Sequence, residues 1–396
     1  MYFFACTKYH ILVSLMIRNH LANSGDSGRA VLIISDRIDG AEAIFEKTVT
    51  EGLWDKVILF HSGGNSTRRK LFGLETLLKL TCIKFNVEKL IRQEKIDNIC
   101  VFTVGDPASN FFSASKLILK KYLCEDGTYP YYAGIEMYDY SGLIYRESRA
   151  NNQDTHFLVK NFLTRYLDKF FLLGLVVDAK SWFARILLMN EGLYNASCDT
   201  IPHQIVQIQC NKLQVESDFV ASSNIFNYIE NDLYNDVDLV FIDSGMVGDD
   251  YLSMSKQVDF TFDALSRFGS QSIVIKLGPY TNQEKLDYVC SLCVGKGNIK
   301  VDLQNINVPW EIVFFNNRRT LSEATIATYM STAAFSPFLF FDIKTNITVL
   351  SKLVTGRFEM SVQYRLLYDH YGELLNVIRP FYKNKIINIP ERRSSL

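Results

Sequence analysis

Short apolar runs alternate with amphipathic stretches along most of this chain, and that alternation restricts the fold more than any other feature. Tyr2–Cys6, Ala30–Ser35, Lys56–Phe60 and Asn98–Val104 read as strands. Between them Tyr9–Leu21, Gly40–Glu51 and Lys70–Glu94 carry helical spacing; Pro107–Lys120 follows as a further helix, and Lys121–Cys124 leads into Glu125-Asp126-Gly127. Strands that are apolar on both faces and separated by helices belong to parallel sheets covered on both sides.

The pattern occurs twice. Val237–Ile242, Ser272–Lys276, Ile299–Asp302 and Pro337–Phe341 read as strands of a second sheet. Ser253–Phe268, Asn282–Cys293 and Trp310–Asn316 read as helices, and Ala327–Ser331 leads to a turn. The expected architecture is α/β, with two Rossmann-like domains facing a central cleft and ligands at the carboxyl ends of the strands. The length of 396 residues agrees with two domains. The expected division is 1–205, with a helical insertion over about 141–200, then 206–370, then a basic helix or tail over 371–396.

Composition excludes several classes. A net charge of −1 gives no electrostatic ground for a nucleic-acid partner. The longest apolar run, Phe170–Val177, is far shorter than the roughly 20 residues that span a bilayer. The amino terminus lacks a basic leader region, and the eight scattered cysteines fit a reducing compartment, so a cytoplasmic location is expected. Cys290-Ser-Leu-Cys293 has no second pair and no nearby His, so it reads as two helical core positions and no metal site is expected. The aromatic, basic stretch Phe157, Lys160, Phe162, Arg165, Tyr166, Lys169, Phe170, Phe171, Lys180, Trp182, Phe183 and Arg185 reads as a helical core or homodimer element. Peripheral contact with anionic lipid, through this stretch and the tail, is its second reading.

Four stretches carry residue types suited to chemistry. Glu125-Asp126-Gly127 follows a strand, where a carboxylate can deprotonate a hydroxyl; the competing reading is an Asp-Gly hairpin turn. Asp243-Ser244-Gly245-Met246-Val247-Gly248-Asp249-Asp250 links a strand to a helix and is either a ligand loop or a capped turn. In Ile275-Lys276-Leu277-Gly278-Pro279 the lysine ends a strand, either facing the cleft to bind phosphate or simply facing solvent. Pro309-Trp310-Glu311 offers a carboxylate for a ribose diol, and Ser331-Thr332 offers hydroxyls and amides for a phosphate.

The order of these stretches resembles the bacterial sialyltransferases of glycosyltransferase family 52, which share features with the polysialyltransferases and other GT-B sialyltransferases. Phe4-Ala-Cys-Thr-Lys-Tyr-His-Ile-Leu12 resembles the family's opening, a strand, a Cys-x-Thr turn and a helix. The resemblance implies a GT-B fold and an inverting transfer of sialic acid from CMP-sialic acid. The implied acceptor is a galactoside-type oligosaccharide or glycolipid of capsule or lipo-oligosaccharide synthesis. It implies that one of Glu125, Asp126, Asp249 and Asp250 is the base and that no metal or added cofactor is required. It assigns CMP contacts to Pro309, Glu311, Ser331 and Thr332, with Ser244, Gly245, Lys276, Gly278 and Pro279 on the donor side. The family carries a His-Pro motif where this chain reads Gly278-Pro279, and no histidine lies between His203 and His370. Lys276 then becomes the expected phosphate partner. The alternatives are a GT-B transferase with another donor and a non-catalytic glycan-binding protein.

Overall fold

The structure is a computed structural model. It describes the chain except residues 26–27, 63–73, 104–105, 128–182, 194–203, 210, 245–251, 270, 279–280, 356–357, 359, 361, 384 and 389–396. The chain divides into two compact units, Met1–Ile225 and Phe226–Leu396.

The first unit is built on strands β1 (Tyr2–Ala5), β2 (Val31–Ser35), β3 (Lys56–Phe60), β4 (Asn98–Val101), β5 (Lys120–Cys124), β6 (Arg185–Leu188) and β7 (Gln204–Gln207). Every pairing is parallel, in the spatial order β3-β2-β1-β4-β5-β6-β7. Helices α1 (Lys8–Asn23), α2 (Ala41–Glu51), α3 (Leu74–Glu94) and α4 (Pro107–Ala114) alternate with the early strands. The order runs one way from β1 and the other way from β4, so the sheet has its switch point between them. Ligands of open α/β sheets bind in the crevice at such a point, outside the carboxyl ends of the strands.

β1 and β2 are buried along their whole length, which explains why they read as unbroken apolar runs. The Phe4 ring packs on Phe60 and Phe112 at centroid distances of 5.8 and 4.8 Å. Each such side chain, fully buried, contributes roughly 1.5–3 kcal/mol.

The second unit repeats the plan with β8 (Leu239–Ile242), β9 (Ile273–Lys276), β10 (Ile299–Val301), β11 (Thr325–Thr328), β12 (Asn346–Val349) and β13 (Ile386–Asn388). These strands are parallel in the order β10-β9-β8-β11-β12-β13, the order of the first six strands of the first unit. The switch point here lies between β8 and β11.

The structure differs from the sequence reading in several places. Helix α5 (Lys212–Ile225) belongs to the first unit, where it packs on α1 and α2, so the division falls at residue 225 instead of 205. Asn19 on α1 donates to both carboxylate oxygens of the buried Asp218 on α5 at 2.9 and 2.7 Å. Pro337–Phe341 is not a strand. It lies in a helix, Ser336–Phe341, because Pro337 sits where a helix needs no N–H, and a short apolar run does not distinguish strand from helix.

The helix after β4 stops at Ala114, short of 120. Strand β6 lies inside the stretch expected to be helical, and the remainder of the basic aromatic segment falls mostly outside the described residues. Residue 371 is no boundary either. A helix runs over Val362–Tyr382 and buries Tyr371, Leu374, Leu375, Ile378 and Tyr382 against the second unit. Cys290 and Cys293 lie half-buried on the helix Gln283–Cys293.

Candidate functional site

The first cluster forms at the carboxyl edge of the first sheet. Thr7 caps α1, its hydroxyl accepting from the His10 backbone N–H at 3.2 Å. This fixes His10 in the first turn of the helix, where it is fully buried and stacked on Phe102 at 4.7 Å and 14°. Its Nδ1 accepts from the Cys6 backbone N–H at 3.2 Å. The network therefore assigns the ring proton to Nε2, which donates to Asp126 Oδ1 at 2.9 Å.

The two adjacent acids behave differently. Glu125 is fully buried: Oε1 accepts from Tyr9 Oη at 2.9 Å and Oε2 from the Met189 backbone N–H at 2.8 Å. The Asp126 side chain is 35% exposed. Consecutive residues leaving a strand point to opposite sides, so one acid enters the protein and the other reaches solvent. Gly127 has φ +64°, a left-handed conformation that glycine adopts without strain.

The hairpin reading of this turn does not hold. A hairpin from β5 needs an antiparallel neighbour, and both edges of β5 are occupied by parallel strands, β4 and β6.

Around the switch point, Cys6 Sγ lies 3.4 Å from Ser109 Oγ, and Asp106 caps α4 by accepting from the Ala108 and Ser109 N–H groups. Arg37 donates to the same Asp106. Burial pushes the Cys6 thiol well above its usual range, so it stays protonated at neutral pH and is no nucleophile. His10 was not singled out by the sequence. Its signal was slight: a His three residues after a capping Thr.

The second cluster lies at the carboxyl edge of the second sheet. Ser244 follows β8 and Ser331 follows β11, on the two sides of the switch point. Ser244 Oγ accepts from the Met330 N–H at 3.4 Å, and the Ser331 N–H donates to Thr328 Oγ1 at 2.9 Å. Thr332 opens the 3-10 turn Thr332–Phe335, so Ser244, Ser331 and Thr332 are brought together. Gly245, Asp249, Asp250 and Pro279 lie outside the described residues. Pro309 is the capping position of the helix Trp310–Asn316.

Lys276 is 3% exposed, and its Nζ donates to the backbone carbonyls of Asn305 and Ile306 at 2.8 and 3.1 Å. It therefore neither faces solvent nor offers an open ammonium to a phosphate. It ties the end of β9 to the loop before the Trp310 helix. Gly278 has a steric reason: a Cβ there would lie 3.3 Å from the Asp243 carbonyl oxygen, on the chain leaving β8. A histidine at this position would push against backbone. We expect Gly278→His to cost about 1–3 kcal/mol of stability, read as a lower urea midpoint, by the usual penalty for overpacking.

Glu311 is 6% exposed, and burial raises its carboxyl to about 7, with its own backbone N–H, the Ser336 hydroxyl and the Lys276 ammonium pulling the other way. The folded protein thus holds a proton that the unfolded chain releases above its ordinary value of 4.5. Stability is accordingly highest below that value and falls as pH rises through about 7, by on the order of 3 kcal/mol. Glu311→Gln should flatten this slope when urea unfolding is compared at acidic and mildly basic pH. An unchanged slope would assign the pH dependence to other groups. Among the described residues no group of three or more His, Cys, Asp or Glu side chains is placed to hold a metal.

No family model matches the sequence, and no curated protein matches it. Solved structures do match. Glycyrrhiza uralensis UGT73P12, complexed with glycyrrhetinic acid 3-O-monoglucuronide, aligns at a TM-score of 0.56 and 10% identity, over 98% of this chain and 80% of its own. The UDP-GlcNAc 2-epimerase of Methanocaldococcus jannaschii, in complex with UDP-GlcNAc and UDP, aligns at 0.51 and 11% identity, over 97% and 93%. The sialyltransferase GT-B domain of Photobacterium damselae aligns over 98% of both chains at 10% identity, but its TM-score of 0.44 is too low to bear on donor or acceptor. Identities this low speak to architecture alone. Two parallel-sheet units with the same strand order, aligned along nearly the whole chain with such structures, give this protein the GT-B fold.

Proposed function

We propose that this protein is an inverting glycosyltransferase that moves a sugar from a nucleotide donor to a hydroxyl acceptor, with Asp126 as the general base. The observation that carries this reading is the Asp126–His10 pair. The solvent-reaching carboxylate is held at one oxygen by a buried imidazole N–H at 2.9 Å, and Oδ2 has no partner among the described residues. Oδ2 takes the proton of the acceptor hydroxyl. The hydroxyl oxygen attacks the anomeric carbon, and the nucleotide phosphate leaves from the opposite face. Ser331 and Thr332 at the second switch point are suited to hold that phosphate through their hydroxyls.

For the donor we infer CMP-sialic acid, on the sequence resemblance alone, with a galactoside of capsule or lipo-oligosaccharide synthesis as acceptor. The single phosphate of that donor needs no metal bridge. The test is CMP release from CMP-sialic acid with a galactoside panel, run beside UDP- and GDP-sugars. CMP release that depends on acceptor supports the proposal. Turnover of a UDP- or GDP-sugar only would replace the donor and keep the base. No turnover of any donor, with no CMP binding by calorimetry, would overturn the proposal altogether.

A further inference from the structure

Helix α3 has two unlike faces. Val87 and Ile91 are buried, 1% and 2% exposed, and hold the helix to the first unit. On the opposite side Leu78 is 58% and Phe85 66% exposed, and Cys82, Lys89 and Arg92 are exposed with them. At about 100° per residue these five positions fall within an arc of roughly 80°. Glu88, the nearest acid among those whose side chains are described, lies about 40° outside the arc by the same geometry. The stripe runs about 21 Å along the axis, apolar toward the helix amino terminus and cationic toward its carboxyl terminus.

We propose that this stripe docks the protein on an anionic lipid surface. The charge pattern selects that partner. Phe85 and Leu78 are suited to enter the headgroup–acyl boundary, while Lys89 and Arg92 meet anionic head groups. A second copy of this chain fits poorly. A twofold pair sets the stripe either parallel to itself, cation on cation, or antiparallel, with cations against Leu78 and Phe85, and none of the five stripe residues is an acid. The docking is independent of which donor the protein uses.

The test is co-sedimentation of the full chain with vesicles of phosphatidylglycerol and phosphatidylcholine, against phosphatidylcholine alone. The wild type should partition to the anionic vesicles only. Lys89→Ala and Arg92→Ala should each lower partitioning about fivefold, and Phe85→Asp about tenfold or more. Leu119→Asp, at a residue 82% exposed elsewhere on the same unit, should leave it unchanged. Thermal melting checks that the variants fold. Equal binding to neutral vesicles, no binding to either, or equal effects of Phe85→Asp and Leu119→Asp would overturn the proposal. A dimer in sedimentation velocity that Phe85→Asp dissolves, with no vesicle binding, would overturn it in favour of self-association.

Discussion

Asp126→Asn should lower turnover by about a thousandfold while nucleotide binding and folding stay as in the wild type. General-base catalysis contributes about 10²–10⁴ in rate, and an amide takes no proton at neutral pH. The substitution is nearly isosteric, and its carbonyl oxygen still accepts from His10 Nε2, so the geometry around the 2.9 Å contact survives. That isolates proton acceptance from packing. The measurement is steady-state kinetics alongside nucleotide affinity by calorimetry and the melting temperature. A variant that keeps more than about a tenth of the wild-type turnover would remove Asp126 from the role of base.

Glu125→Ala should have the opposite profile, a large loss of stability. Its two oxygens hold Tyr9 on α1 and the Met189 backbone just after β6, both within 3 Å. Truncation leaves a buried N–H and a hydroxyl without this partner. Hydrogen bonds to a charged group contribute about 1.5–3 kcal/mol each, so a loss of roughly 3–5 kcal/mol is expected. For a chain of 396 residues that corresponds to a fall in melting temperature of roughly 5 °C. Denaturant unfolding checks it, and a change below about 1 kcal/mol would show that the carboxylate is not a structural tie. The contrast between neighbours is the sharper result. One acid should govern rate, the other should govern stability.

Much of the fold was legible beforehand. β1, β2, β8 and β9 are buried on both faces, so their apolar runs had no polar alternation to blur them. β6, β7, β11, β12 and β13 are not legible in the sequence, because Arg185, Gln204, Gln207, Thr325, Thr328, Asn346 and Asn388 stand at their ends and leave apolar cores of only two or three residues. Ser336–Phe341 is a helix with a strand-like sequence, because an unbroken apolar run this short fits either element. Lys276 was placed at a strand end correctly but turned the wrong way: its Nζ finds two carbonyls 29 and 30 residues downstream, a pairing no local pattern encodes. Gly278 posed as a missing histidine, and the close passage of the Asp243 carbonyl supplies a steric reason for glycine there.

By itself the sequence determined that two parallel α/β sheets form and that Glu125-Asp126-Gly127 stands at a strand end, because periodicity and turn chemistry are local properties. The tertiary structure alone decided which acid faces solvent and what orients it. His10 and Asp126 are 116 residues apart, and they meet because β1 and β4 are neighbours, β4 and β5 are neighbours, and α1 starts at the same sheet edge where β5 ends. Strand order across a sheet is a long-range outcome of packing, and the dyad exists only once that order is set.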